Sequence, residues 1–147
     1  MSVFNAMNMS ATGMTAQRLR MDTISQNIAN INTTRTDSGG PYRRKIPIFE
    51  ELKPENRFDY ILKNHLGEYT NVGGVKVSRI VEDKAPFISQ YDPTHPDANE
   101  EGYVLLPNVN TIEEMTNLIS SNRSYEANVT AFNSSKAMLS KALEIGR

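Results

Sequence analysis

Apolar side chains return every three or four residues along both ends of this chain. Near the start, Met7, Met14, Met21 and Ile28 recur at intervals of seven. A second row, Val3, Ser10, Gln17, Ile24 and Ile31, lies three positions after a member of the first row or four before one. That spacing predicts an amphipathic helix over about residues 2–31 with a narrow seam facing another helix. At about 1.5 Å per residue it would be on the order of 45 Å long. Ser10 and Gln17 interrupt the seam with polar groups, and Gly13 weakens the helix locally.

The last segment repeats the design. Met115, Leu118, Asn122, Tyr125, Val129, Phe132, Lys136, Leu139 and Leu143 alternate by three and four residues, predicting a helix over Thr111–Ile145. Thr111-Ile112-Glu113-Glu114 reads as a capping box, with Thr111 as cap and Glu114 reaching back to it. Gly146 follows the last periodic residue, where a helix favours a left-handed terminator.

The interior has a different grammar. Residues 32–110 hold all the prolines and all but two of the glycines. Four short runs predict strands: Tyr42–Phe49, Gly74–Val81, Pro86–Tyr91 and Tyr103–Leu106. In the second, Val75, Val77 and Val81 share one face by period two, with Arg79 breaking the row. Residues 92–97 read as a turn-rich loop, and Phe58–Leu66 as a short helix. The expected class is α+β: long N- and C-terminal helices forming a coiled-coil-like layer, with a small β-rich insert between them. The expected division is a terminal helical assembly domain, 1–33 together with 108–147, and an insert domain, 34–107.

Composition sharpens this reading. Hydrophobic residues make up 38% of 147, with no Trp, which is thin for a self-sufficient globule. Polar residues on the seams (Ser10, Gln17, Asn122, Lys136) make a lone two-helix hairpin marginal, since an unpaired buried amide costs about 1–3 kcal/mol. The ends are therefore expected to be partly disordered in the free chain and to become helical when neighbours bury them. The competing expectation is an ordinary helical hairpin packed on its own insert. A net charge of −1 argues against nucleic acid as a partner. There is no cysteine, so disulfide and thiol chemistry is excluded. No Sec-type leader is expected at the N-terminus, and no apolar run approaches the roughly 20 residues of a membrane helix.

Candidate chemistry is sparse. His95 lies between Asp92 and Asp97, but no third ligand has a recognisable spacing, and a turn rich in Asp and Pro accounts for the same residues. Glu50-Glu51 and Glu113-Glu114 are adjacent pairs that diverge on any regular structure, so neither forms an acid/base couple. Arg43-Arg44-Lys45 is the most basic run, yet alternate members of a strand face opposite sides, which dilutes the patch. No catalytic, cofactor or metal residue is expected.

Two stretches carry a family likeness. Ser25-Gln26-Asn27-Ile28-Ala29-Asn30-Ile31-Asn32-Thr33 resembles the N-terminal signature of the flagellar rod and hook axial proteins. Ser121-Asn122-Arg123-Ser124-Tyr125-Glu126-Ala127-Asn128 is similar to the matching C-terminal signature. Within the interior, three runs resemble a proximal-rod member of that family: Gly73-Gly74-Val75-Lys76-Val77, residues 91–99, and Gly102-Tyr103-Val104 with Pro107-Asn108-Val109-Asn110. The likeness covers about residues 1–32, 41–45 and 73–147; 46–72 shows no correspondence, and 34–40 looks like a variable loop.

The resemblance implies a structural subunit of the rod in the bacterial flagellar basal body, transmitting torque from motor to hook. It implies export by the flagellar type III apparatus without a cleaved signal peptide. Implied partners are other proximal-rod proteins, the adaptor at the rod base, the distal-rod protein, the export apparatus and further copies of the chain. Nucleic acid and small-molecule substrates are not among them. The expected assembly interface is Met7, Met14, Met21, Ile24, Ile28, Ile31, Met115, Leu118, Asn122, Tyr125, Val129, Phe132, Leu139 and Leu143. Asn27, Ala29, Asn30, Asn32, Thr33, Arg123 and Tyr125 carry the family signature. Gln17 and Asn122 are the expected register-setting residues. The alternatives are another rod or hook family member, or a generic coiled-coil binding module.

Overall fold

The structure, a computed structural model, describes residues 3–37, 39–52, 62, 65–66 and 73–145. Helix α1 spans Val3–Ala29 and helix α2 spans Thr111–Ile145. Between them lie β1 (Lys45–Glu51), β2 (Val75–Glu82), β3 (Ile88–Tyr91) and β4 (Tyr103–Leu106). The fold is α+β, two long terminal helices around a small β insert, as the periodicities predict. Most of the expected helix at 58–66 and the terminator at Gly146 lie outside the described residues.

Each helix end has a local cause. At the exit of α1, the backbone N–H and side-chain amide of Asn30 both donate to the Gln26 carbonyl. The Thr33 hydroxyl then donates to Asn30 Oδ1, turning the chain toward the insert. At the start of α2 the cap is Asn110, not Thr111. Its Oδ1 accepts the N–H groups of Ile112 (3.0 Å) and Glu113 (3.4 Å), two of the donors that a helix start leaves unpaired. The expected capping box does not form, because the Glu114 carboxylate is turned into the protein and held by Arg44 and Asn27.

The strands form two two-stranded sheets, β1 with β2 and β3 with β4. Bonds from Leu52 N–H to the Gly74 carbonyl and from Asp83 N–H to the Arg44 carbonyl close the ends of the first sheet antiparallel. Val75, Val77 and Val81 are half-buried and Lys76, Ser78, Ile80 and Glu82 exposed, the alternation expected of a strand with one covered face, which exposed Arg79 interrupts. In the second sheet Gln90 pairs with Val104 and Tyr91 with Tyr103, antiparallel. Gly102, at φ +81°, sets up β4 in a backbone conformation that a side chain rarely adopts. A Cβ there would also lie 2.9 Å from the Tyr91 ring.

The chain divides into two compact units. The first comprises 1–18, 49–78 and 122–147. Within it Gly13 lies so close to Asn128 that a Cβ would stand 2.8 Å from the amide oxygen, and Thr12 Oγ1 accepts the Val75 N–H. The second comprises 19–48 and 79–121. It contains β3, β4 and most of the buried side chains among the described residues, including Thr23, Ile24, Asn27, Tyr42, Val104, Val109, Glu114 and Ser121. Among the described residues the buried apolar side chains are Ala16, Ile24, Tyr42, Val104 and Val109, a small store of apolar burial for two helices of 27 and 35 residues.

Candidate functional site

Among the described residues no cleft gathers convergent reactive groups; the distinctive features are the faces of the two helices and a polar cluster in the second unit. The cluster grows from the end of α1. Asn27 is 1% exposed, and its side-chain amide uses its full hydrogen-bonding capacity. Nδ2 donates to the Lys45 carbonyl (2.9 Å) and to Glu114 Oε2 (3.0 Å). Oδ1 accepts the Tyr42 hydroxyl (3.0 Å) and the Lys45 N–H (2.9 Å). One side chain thereby ties the end of α1, the entry to β1 and the first turn of α2.

Glu114, also 1% exposed, anchors the other side. Its Oε1 accepts Arg44 Nε at 2.8 Å and Nη2 at 2.6 Å. Arg44 reaches Glu113 Oε1 at 2.9 Å, and its Nη1 lies 3.7 Å from Asp83. Burial works against the guanidinium charge, but the hydrogen bonds and fields of Glu114 and Glu113 outweigh it and hold Arg44 above its ordinary pKa. Burial, then the Glu114 and Glu82 carboxylates, pushes the Tyr42 phenol up as well. Asn108 extends the cluster, its Oδ1 accepting the Arg44 N–H and its amide facing the Asp83 and Ala85 carbonyls.

The basic run, of which only Lys45 lies in β1, splits three ways. Arg44 points to the carboxylates, Arg43 stacks over Phe87 at 4.3 Å, and Lys45 lies over Tyr42 at 5.7 Å. The Asp92–Asp97 loop uses its polar groups on itself. Asp92 accepts both donors of Thr94, which hold its carboxyl below the usual range. His95 Nδ1 accepts the Asp97 N–H, and Asp97 accepts the Thr34 hydroxyl.

The helix faces differ from the expected seams by about one position. On α1 the buried residues are Ser10, Gly13, Ala16, Thr23, Ile24 and Asn27; Met7, Met14, Met21 and Ile28 flank them, half-buried. On α2 the buried residues are Glu114, Ser121 and Ser135, with Leu118, Tyr125, Val129, Phe132 and Leu139 half-buried. Close approach selects small side chains for the innermost line, as the Gly13–Asn128 contact shows, and pushes the bulky ones to its flanks. Ile31 is half-buried beyond the end of α1. Met115, Asn122 and Leu143 are exposed. Asn122 bonds to Glu126 on its own helix, whereas Gln17 buries an amide oxygen that has no hydrogen-bond partner among the described residues. Of the signature residues, Asn27 centres the cluster and Asn30 and Thr33 shape the helix exit, whereas Ala29, Asn32 and Arg123 are exposed. Tyr42, Arg44 and Glu114 were not expected at a site, and no spacing within their own segments marks them.

Outside this line α2 leaves large apolar side chains open. Ile112, Met115, Ile119, Met138, Leu143 and Ile145 are between 55% and 86% exposed.

Comparison with known proteins bears on both helices. Residues 7–35 match the family described as Flagella basal body rod protein, and residues 100–145 match that described as Flagellar basal body rod FlgEFG protein C-terminal. The chain is 52% identical, over the full length of both, to the flagellar basal-body rod protein FlgC of Bacillus subtilis (strain 168). It is 48% identical to the protein of that name from Borreliella burgdorferi, over 99% of this chain and 98% of the relative. For that from Aquifex aeolicus the identity is 40%, over 98% and 97%.

Proposed function

The chain belongs to the FlgC family of flagellar basal-body rod proteins, and from that premise we propose that it is a proximal-rod subunit that polymerises through its terminal helices and carries torque from motor to hook. It is a structural component of the basal body, not an enzyme, and it assembles with other rod components. The observation that carries the assembly reading is the large apolar side chains left open on α2, with Ile112, Met115 and Ile119 on one face of it, against few buried apolar side chains among the described residues. Exposed apolar patches of this kind mark surfaces that another protein covers.

In this reading residues 1–33 with 108–147 form the assembly domain and 34–107 the outer insert. The interface comprises Met7, Met14, Met21, Ile24, Ile28, Ile31, Met115, Leu118, Asn122, Tyr125, Val129, Phe132, Leu139 and Leu143. The open side of α2 places Met115, Asn122 and Leu143 against neighbouring subunits, and the half-buried residues complete the contact from the flanks. Stiffness under torque then comes from close packing of helices between subunits. The neighbours are other proximal-rod proteins, the basal adaptor, the distal-rod protein and further copies of the chain. The subunit reaches the rod through the flagellar type III export apparatus; a chain without cysteine carries no disulfide into that passage.

The test is a surface change that spares the monomer. Met115→Glu with Ile119→Lys alters only exposed positions of α2, so circular dichroism and the thermal midpoint should stay near those of the parent chain. Introduced into a strain lacking the endogenous protein, this variant should fail to restore swimming and complete basal bodies. Full restoration of motility would remove the α2 face from the assembly surface.

A further inference from the structure

The innermost line of the two helices is built almost entirely from small residues: Ser10, Gly13, Ala16 and Thr23 on α1, Ser121 and Ser135 on α2. Small side chains permit close approach but carry little information about axial position, because an offset of seven presents a similar surface. Ile24 is a bulky apolar exception, and Asn27 and Glu114 are the polar ones. Two heptads separate Gly13 from Asn27, and two separate Glu114 from Asn128. The Gly13–Asn128 contact in the first unit and the Asn27–Glu114 bond in the second therefore have the same pairing offset.

A slip of one heptad would set Asn27 opposite Ser121 in one direction and opposite Pro107, beyond the helix, in the other. Either way Asn27 and Arg44 lose the Glu114 carboxylate, and buried polar groups are left without partners. We propose that the Asn27–Tyr42–Arg44–Glu114 cluster is a register lock, which selects one axial alignment of α1 against α2 by penalising every other. It assigns to these four residues the alignment role that the seam pattern alone gave to Gln17 and Asn122. Asn122 is exposed and bonded within its own helix, so it does not set this alignment. Buried ionic groups of this kind are often replaceable by apolar ones without loss of stability, and in some proteins their role is specificity of pairing.

Because the chain has no cysteine, engineered pairs report the alignment cleanly. Gly13→Cys is combined in turn with Asn128→Cys, Ser121→Cys and Ser135→Cys, with Asn128→Ala in the last two to clear space. In the otherwise native chain, mild oxidation should couple position 13 to 128 at least tenfold faster than to 121 or 135. The same pairs are then placed in a variant without the lock: Asn27→Leu, Tyr42→Phe, Arg44→Met and Glu114→Met. With helix content retained, coupling should spread, its preference for 128 falling to threefold or less. Should this variant retain the tenfold preference, the proposal is overturned. If it is not helical, Glu114→Gln, which keeps the shape and strands Arg44, decides by the same ratio. If both lose their helices, the proposal is equally overturned, because the cluster would then be a source of stability instead of alignment.

Discussion

An amide can donate and accept in the same plane, and Asn27 uses both capacities fully. Replacing it by Asp removes the Nδ2 donors and sets a second carboxylate against Glu114, so the change of a single atom type is severe here. Glu114→Ala should lower the unfolding free energy by about 3–5 kcal/mol, because it leaves Arg44 partly buried without its main partner. Urea denaturation followed by circular dichroism measures this, and a loss below about 1 kcal/mol would mean that water replaces the carboxylate. Tyr42→Phe should cost about 1 kcal/mol, since Asn27 Oδ1 keeps its bond from Lys45. The raised Tyr42 pKa fixes a sign. Above about pH 10 the unfolded phenol loses its proton first, so the folded state binds more protons and stability falls as pH rises. This alkaline slope should be shallower in Tyr42→Phe, as thermal midpoints between pH 9 and 11 would show.

The helices are legible from spacing, but their ends and inner faces depend on local competition. Asn110 and Thr111 are adjacent and both are good capping types, and the sequence favoured Thr111 because Glu114 stands three positions on. The carboxylate that would complete that box has a stronger partner in Arg44, so Asn110 caps instead. Asn110→Ala should therefore cost about 0.5–2 kcal/mol and Thr111→Ala much less, measured by chemical denaturation of each variant. Equal losses would restore the capping box. Gly13 reads in isolation as a weak point of α1, yet the helix leaves it no room for a side chain. Gly13→Leu should destabilise by about 1–3 kcal/mol or more through overpacking against Asn128, despite the better helix propensity of Leu. A thermal midpoint that rises in this variant would show that the Asn128 side chain yields.

For the whole molecule the deciding quantity is how little apolar surface the chain buries alone. Among the described residues, five buried apolar side chains are a small offset to the entropy of ordering two helices of 27 and 35 residues. The ends of the free subunit should therefore open readily. Hydrogen exchange on the dilute monomer should be rapid over residues 3–18 and 130–145 and slowest around Asn27 and Glu114. Limited proteolysis should trim the ends before cutting the second unit. Uniform protection from end to end would favour a self-contained adaptor over a subunit completed by its neighbours.

Local spacing by itself determined the two terminal helices, the four strands to within a few residues, and the α+β class, because each rests on periodicity that a single segment carries. It also marked Asn27 and its neighbours, through likeness to a family signature, without giving the reason. Only the tertiary structure decided which line of each helix is innermost, which residue caps α2, and where Arg44 and Glu114 point. Those choices depend on groups that are distant in the chain competing for the same few buried hydrogen bonds. No periodicity within one segment records the outcome of that competition.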